Sequence, residues 1–176
     1  MSELLIRVAK PADAAAFRAF FSRLVADNDF MLPTAEEYSH RNDPEIATRL
    51  TQFATQPNHR FLLAWLGERL VGFLSVAGGA AHKNRGCGHV VVAVDAAQRR
   101  QGIGRALFDA AETWAISAGL WRLELSVMRH NEAARALYRA VGFEEEGIRR
   151  AALYWNGQAV DEVMMAKLLP LPKSDC

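Results

Sequence analysis

The sequence predicts an α/β domain of the α+β kind, with six to seven strands and about four helices, and three observations predict it. Short apolar runs rich in β-branched residues alternate with longer stretches of helical period. Turn pairs such as Gly67-Glu68 and Asn156-Gly157 separate runs that must fold back on each other. The length of 176 residues fits one domain of about 100 to 200 residues, and a hydrophobic share of 51% suffices for a core. One domain over 1–176 is expected, with 169–176 as a flexible tail.

Each element has its own signal. Leu4 to Ala9 reads as a strand, and Pro11 with Asp13 opens an alanine-rich helix running to about Ala26. Between Asp27 and His59 the pattern is broken by Asn28, Asp29 and Pro33, with a short helix around Ala35 to Tyr38 and a second from Asp43-Pro44 through Phe53. Phe61 to Leu66 and Arg69 to Ala77 form an antiparallel hairpin around Gly67-Glu68. Gly78 through Gly88 is a loop, and His89 to Val94 is a nearly continuous valine run, expected as a central strand covered on both faces. Ile103, Ala106, Leu107, Ala110, Ala111, Trp114 and Ala118 recur at helical spacing, with Gly119 as the stop. Trp121 to Val127 alternates as a half-buried strand, and Asn131 begins a helix that carries Ala134, Leu137, Tyr138 and Val141 and ends at Gly142. Phe143 to Arg149 and Ala159 to Leu168 are two more strands, flanking Asn156-Gly157.

Charge and composition exclude several classes. A net charge of +1 supplies no global field for nucleic acid or an anionic membrane. The longest uncharged apolar stretch, Leu70 to Ala81, falls short of the roughly 20 residues of a span and contains Gly72, Gly78 and Gly79. Glu3, Arg7 and Lys10 interrupt the start, so no export signal is expected. The two cysteines, Cys87 and Cys176, suit a reducing, cytoplasmic compartment. His40, His59, His82 and His130 have no ligand spacing, and Cys87 with His89 is too small a set, so no metal is expected.

Chemistry concentrates where a strand meets a helix. After His89 to Val94 comes Arg99-Arg100-Gln101-Gly102-Ile103-Gly104-Arg105, and then the long helix. The first N–H groups of a helix lack internal partners and point outward at its positive end, and glycine permits close approach of a ligand to the backbone. Arg99, Arg100 and Arg105 add a local +3 without an acid, so the segment suits a phosphate, although a solvated arginine cluster is the alternative. A dinucleotide fold is one candidate, with Glu124 near the place of its ribose-binding acid. However, seven residues separate Val94 from Gly102, and Leu107 occupies the third glycine's place.

The octapeptide Arg99-Arg100-Gln101-Gly102-Ile103-Gly104-Arg105-Ala106 resembles the R/Q-x-x-G-x-G/A signature of the GNAT superfamily of acyl-CoA-dependent N-acetyltransferases. Ser126-Val127, Asn131, Ala134, Leu137, Tyr138 and Gly142-Phe143 are similar to its second half, and Asp161-Glu162 to Met165-Ala166 to its final strand, so the resemblance covers about 61–168. It implies a mixed, largely antiparallel sheet and acetyl-CoA as co-substrate. The acceptor would be a primary amine of a small molecule or peptide. Homodimers are frequent among relatives, which leaves a homodimer open.

The resemblance also implies roles. Backbone amides from Arg100 to Arg105 would hold the diphosphate, and the backbones of Val92, Ala93 and Val94 would pair with the pantetheine arm. Asn131 is a helix N-cap by residue type and a cofactor neighbour by resemblance. Tyr138, seven residues on and facing the same way, is a core aromatic by pattern and the acid for the departing sulfur by resemblance. An amine must lose a proton before attack, yet His89 to Val94 contains no Asp or Glu, a departure from many relatives. His89, Glu124 and a water chain remain the candidates for the base. Ala96 stands where relatives often carry proline. Outside enzymes, a non-catalytic CoA-binding sensor would keep the same loop, and a nicotinamide oxidoreductase would bind NAD instead.

Overall fold

Alternating side chains in the strands divide the apolar residues between two faces, and helices cover both. The computed structural model describes residues 3–171. Its strands are β1 (Leu4–Val8), β2 (His59–Leu66), β3 (Arg69–Gly78), β4 (Cys87–Val94), β5 (Arg122–Met128), β6 (Glu144–Trp155) and β7 (Gln158–Leu168). They form one sheet in the order β1-β2-β3-β4-β5-β7-β6, antiparallel throughout except for β4 beside β5.

Helices α1 (Ala14–Ala26) and α3 (Asp43–Thr55), with the short α2 (Ala35–Ser39), bury Phe17, Phe20, Leu24 and Leu50 against Phe61, Leu63 and Phe73 on one face. On the other face, α4 (Ile103–Ser117) and α5 (Glu132–Ala140) bury Leu107, Ala111 and Tyr138 against Leu62, Ala64, Leu125 and Val127. Residues 61 and 63 point one way and 62 and 64 the other, the period-two arrangement of a sheet covered on both sides. Each buried leucine or phenylalanine contributes about 1.5–3 kcal/mol relative to an exposed one, so these two layers supply most of the driving force.

Local signals match their elements. Asn42 caps α3 by accepting from the Glu45 N–H at 3.0 Å, and Thr34 with Glu37 forms a reciprocal capping pair on α2. Asn156 and Gly157, with φ of 50° and 76°, make the two-residue turn whose twist suits the β6–β7 hairpin.

Two expectations need correction. The strand expected to stop at Arg149 continues to Trp155 through a bulge between Arg149 and Leu153. Ala151 there has φ of 50°, a left-handed conformation rare for alanine, and its N–H donates to Asp161 at 2.9 Å, which ties the bulge to β7. The tail expected from 169 does not begin there, because Leu169 is buried and its N–H donates to the Trp121 carbonyl at 2.9 Å. Residues 172–176 lie outside the described residues.

Candidate active site

The sheet parts in the middle. β4 and β5 pair at only three positions, Cys87 with Arg122, Gly88 with Leu123 and His89 with Glu124, and then separate. Each keeps its other neighbour along its full length, β4 on β3 and β5 on β7, so neither can swing across to close the gap. The Asp95 N–H donates to Val71 and the Gly79 N–H to Cys87, which fixes the phase of the β3–β4 ladder. In antiparallel alternation, Ala93 and Val91 then bond β3, while the N–H and C=O groups of Val90, Val92 and Val94 face the opening. Ala93 therefore lines the cavity but has no free backbone edge; Val92 and Val94 have one. The run expected to be covered on both faces is only half-buried from Val91 to Val94, because the opening uncovers it.

A cavity of about 1310 Å³ occupies the opening and continues over the sheet toward α2 and α3, beyond the roughly 300–1,000 Å³ of a pocket for one small ligand. At one end lies the start of α4. The connection from β4 is a turn of 3-10 helix at Ala96–Gln98, held by the Asp95 carboxylate, which accepts from the Ala97 N–H and from Arg69. This Asp95 cap braces the turn at Ala96. Arg100 and Gly102 follow with φ of 62° and 80°, both left-handed, and swing the chain into the helix. The first intrahelical bond runs from the Ala106 N–H to the Gly102 carbonyl, so the N–H groups of Ile103, Gly104 and Arg105 have no helical partner. A Cβ on Gly102 would meet nothing within 4 Å, leaving room for a ligand against the backbone.

The expected residues divide clearly. Arg99, Arg100, Gly102, Ile103, Gly104 and Arg105 line the cavity, with the Ile103 side chain itself buried in the core. Gln101 is exposed and outside the walls. Arg105 also donates to the Ala140 carbonyl at 3.1 Å, joining α4 to the end of α5. Gly104 serves packing as well, because a Cβ there would lie 2.9 Å from Leu137 Cδ2. These features fit a diphosphate: free amides, a helix's positive end, open space and three arginines around it.

On α5, Asn131 caps the helix by accepting from the Ala134 N–H at 3.2 Å and also lines the cavity. Tyr138 is buried against Phe108 in an edge contact of 5.8 Å and still reaches the cavity wall. Burial pushes its phenol up to about 12, so it carries its proton at neutral pH.

The two candidate bases fare differently. His89 is exposed on the cavity wall, at the last position where β4 meets β5. Glu124 is not brought into the cavity. It sits below the opening, and Arg122 donates to it at 2.7 Å while gripping Glu146 with two further bonds. Arg122 holds Glu146 below the usual carboxylate range and is itself raised by the two acids.

Other wall residues were assigned no role by the sequence. The acceptor end is bounded by Phe30, Met31 and Tyr38 from the broken stretch, and by Ser126 and Glu162 from β5 and β7. Phe30 packs on His130 at 5.4 Å between ring centroids, joining the loop after α1 to the turn before α5. Tyr154 is exposed at the tip of the β6–β7 hairpin and is not part of the wall, which takes Leu153 instead. Among the described residues no cluster of three or more His, Cys, Asp or Glu is arranged to hold a metal, and no helix is long and apolar enough to cross a membrane.

Free amides at a helix start beside a parted sheet, with a buried tyrosine on the wall of the same cavity, suit a long phosphorylated cosubstrate. Comparison with known proteins agrees. Residues 24–143 match the model of the Acetyltransferase (GNAT) family. A GNAT-family acetyltransferase from Streptococcus pneumoniae superposes with a TM-score of 0.90 at 30% identity, covering 96% of this chain and all of that one. The L-amino acid N-acetyltransferase AaaT of Escherichia coli is 27% identical over 96% of this chain and 99% of its own. The [ribosomal protein bS18]-alanine N-acetyltransferase of the same species is 39% identical over 43% of this chain and 51% of its own.

The chain belongs to the GNAT acetyltransferase family and is an acyl-CoA-dependent N-acetyltransferase that transfers an acetyl group to an amine. The dinucleotide reading fails, since fully buried Leu107 occupies the place where that fold needs glycine and the sheet is largely antiparallel.

Proposed function

We propose that the protein uses acetyl-CoA to acetylate the primary amine of a small molecule or peptide by direct attack, with the diphosphate on the amides of Ile103 to Arg105. The gap between β4 and β5, leading straight to the start of α4, is the observation that carries this reading. An extended pantetheine arm has two amides, and the unpaired edge at Val92 and Val94 offers it matching donors and acceptors, as an added strand would find. Arg99 and Arg100 neutralise phosphate charge at the cavity mouth.

When bound, acetyl-CoA supplies an activated thioester carbonyl. The chain's own contribution is mostly positioning: the cosubstrate is held along β4 and the amine is admitted from the side of α2 and α3. A backbone N–H on the inner edge of β4 polarises the carbonyl, and Tyr138 donates its proton to the departing sulfur. The likeness to the L-amino acid N-acetyltransferase AaaT puts free amino acids at the head of the acceptor panel. Cytoplasmic location and assembly as a homodimer belong to the same reading; the free thiol of Cys87 suits the first, and sedimentation velocity reads out the second.

The test is release of CoA thiol from acetyl-CoA with a panel of amino acids, polyamines and short peptides. Amine-dependent release supports the proposal. CoA binding without release on any amine would make the chain a silent CoA-binding protein. Thermal stabilisation by NAD but not by CoA would remove the proposal altogether.

A further inference from the structure

The geometry points to Glu162 as the group that takes the proton from the attacking amine, an assignment that rests on the acetyltransferase reading above. Neither His89 nor Glu124 meets the requirements as well. A base for this reaction should lie on the cavity wall, on the acceptor's side of the sheet, held in place by its neighbours but with a lone pair left for the proton. Glu124 is outside the cavity and bound by Arg122, and His89 is exposed at the edge of the opening.

Glu162 meets all of these requirements. It lies on β7 opposite Met128, and its side chain is only 12% exposed although it lines the cavity. One carboxylate oxygen accepts from the Ser126 hydroxyl at 3.0 Å and the other from Arg149 at 2.8 Å. Each oxygen accepts a single protein donor and keeps a lone pair for a proton.

Its face is the decisive point. On β5, Leu123, Leu125 and Val127 join the core cluster that contains Tyr138, and on β7 Val163 and Met165 do the same. Alternation turns Ser126 and Glu162 to the other face, the one on which α1 and α3 pack farther along the sheet over β2 and β3. Tyr138 and Glu162 thus reach the parted sheet from opposite faces. A thioester lying in the gap would present its sulfur to Tyr138 and its other side to an amine beside Glu162.

The proton count closes. The ammonium gives one proton to the Glu162 carboxylate, and the neutral amine then attacks the carbonyl carbon to form the C–N bond. As the C–S bond breaks, the Tyr138 hydroxyl protonates the sulfur and recovers a proton from the nitrogen. The products are the amide, CoA thiol and one proton, which Glu162 passes to solvent.

Arg149 on β6 pairs with Glu162, and the same cavity is lined by His89 on β4 and by Glu37, Tyr38, Arg41, Glu45 and Arg49 from α2, α3 and the turn between them, besides the arginines at the start of α4.

The experiment measures kcat/KM against pH, with the best acceptor from the amine panel, for the wild type, Glu162→Gln, Glu162→Asp and Glu124→Gln. Glutamine can still accept from Arg149 and bond Ser126, so the wall remains intact. Loss of about a hundredfold at pH 7 is expected for Glu162→Gln, with unchanged acetyl-CoA affinity. Its profile should climb with pH until it meets the amine's own pKa, because only amine already neutral in solution then reacts. Glu162→Asp should keep the wild-type shape at reduced height. A Glu162→Gln profile parallel to wild type would overturn the assignment, as would a Glu124→Gln variant that alone loses the neutral plateau. A wild type silent on every amine would instead overturn the acetyltransferase reading, and the assignment with it.

Discussion

Gly104 on α4 and Leu137 on α5 touch so closely that a single carbon added at 104 would stand 2.9 Å from Leu137 Cδ2. The contact joins the two halves of the site, because Gly104 offers one of the free amides and Leu137 precedes Tyr138. Gly104→Ala sets about 1 kcal/mol of gained helix propensity against about 1–3 kcal/mol of overpacking, softened because the obstructing atom ends a flexible side chain. Unfolding free energy should therefore change by no more than about 1–2 kcal/mol. Turnover should fall several-fold as Leu137 shifts and carries Tyr138 with it. Wild-type turnover in this variant would separate the glycine from tyrosine placement.

Tyr138→Phe removes the hydroxyl and leaves the ring contact with Phe108. Turnover should drop at least tenfold while the acetyl-CoA dissociation constant, measured by calorimetry, stays within about twofold, as expected when only a proton-transfer step is lost. Equal turnover would take Tyr138 out of the mechanism.

Burial raises the phenols of both Tyr138 and Tyr38 from 10.0 to about 12. In the unfolded chain a phenol ionises near its ordinary value, so between these limits the unfolded state gives up protons that the native state keeps. Stability is fully present below pH 10 and falls as pH rises toward 12, by at most about 1.4 kcal/mol per pH unit for each group. Denaturant unfolding at intervals across this window should show the decline, and Tyr138→Phe should flatten it. An unchanged slope in the variant would contradict the burial argument.

How much of this was legible in the sequence follows from what each residue signals locally. The Gly102-Ile103-Gly104 turn, the Asn131 cap and the Asn156-Gly157 hairpin each require a residue type at a fixed place, and each appears where expected. The bulge at Ala151 and the pairing of Arg122 with Glu124 depend on partners far along the chain, so nothing at those positions announces them. The same holds for the acceptor wall. Ser126 and Glu162 meet only because β7 inserts between β5 and β6, an order that no periodicity encodes.

Gly102→Glu should abolish CoA binding without unfolding the protein. A side chain at 102 meets no neighbour, and the left-handed backbone there costs a non-glycine residue about 1–2 kcal/mol. The added carboxylate, however, would sit at the proposed diphosphate site. Calorimetry should find no CoA binding in a variant that still melts cooperatively within several degrees of wild type. Retained binding would place the phosphates away from this turn.

The most direct measurement is a crystal structure of the protein soaked with CoA. The diphosphate should lie within about 2.7–3.2 Å of the N–H groups of Ile103, Gly104 and Arg105, with the pantetheine arm running along Val92 and Val94. Density for the diphosphate on any other surface, with those amides bonded to water or to protein, would contradict the account.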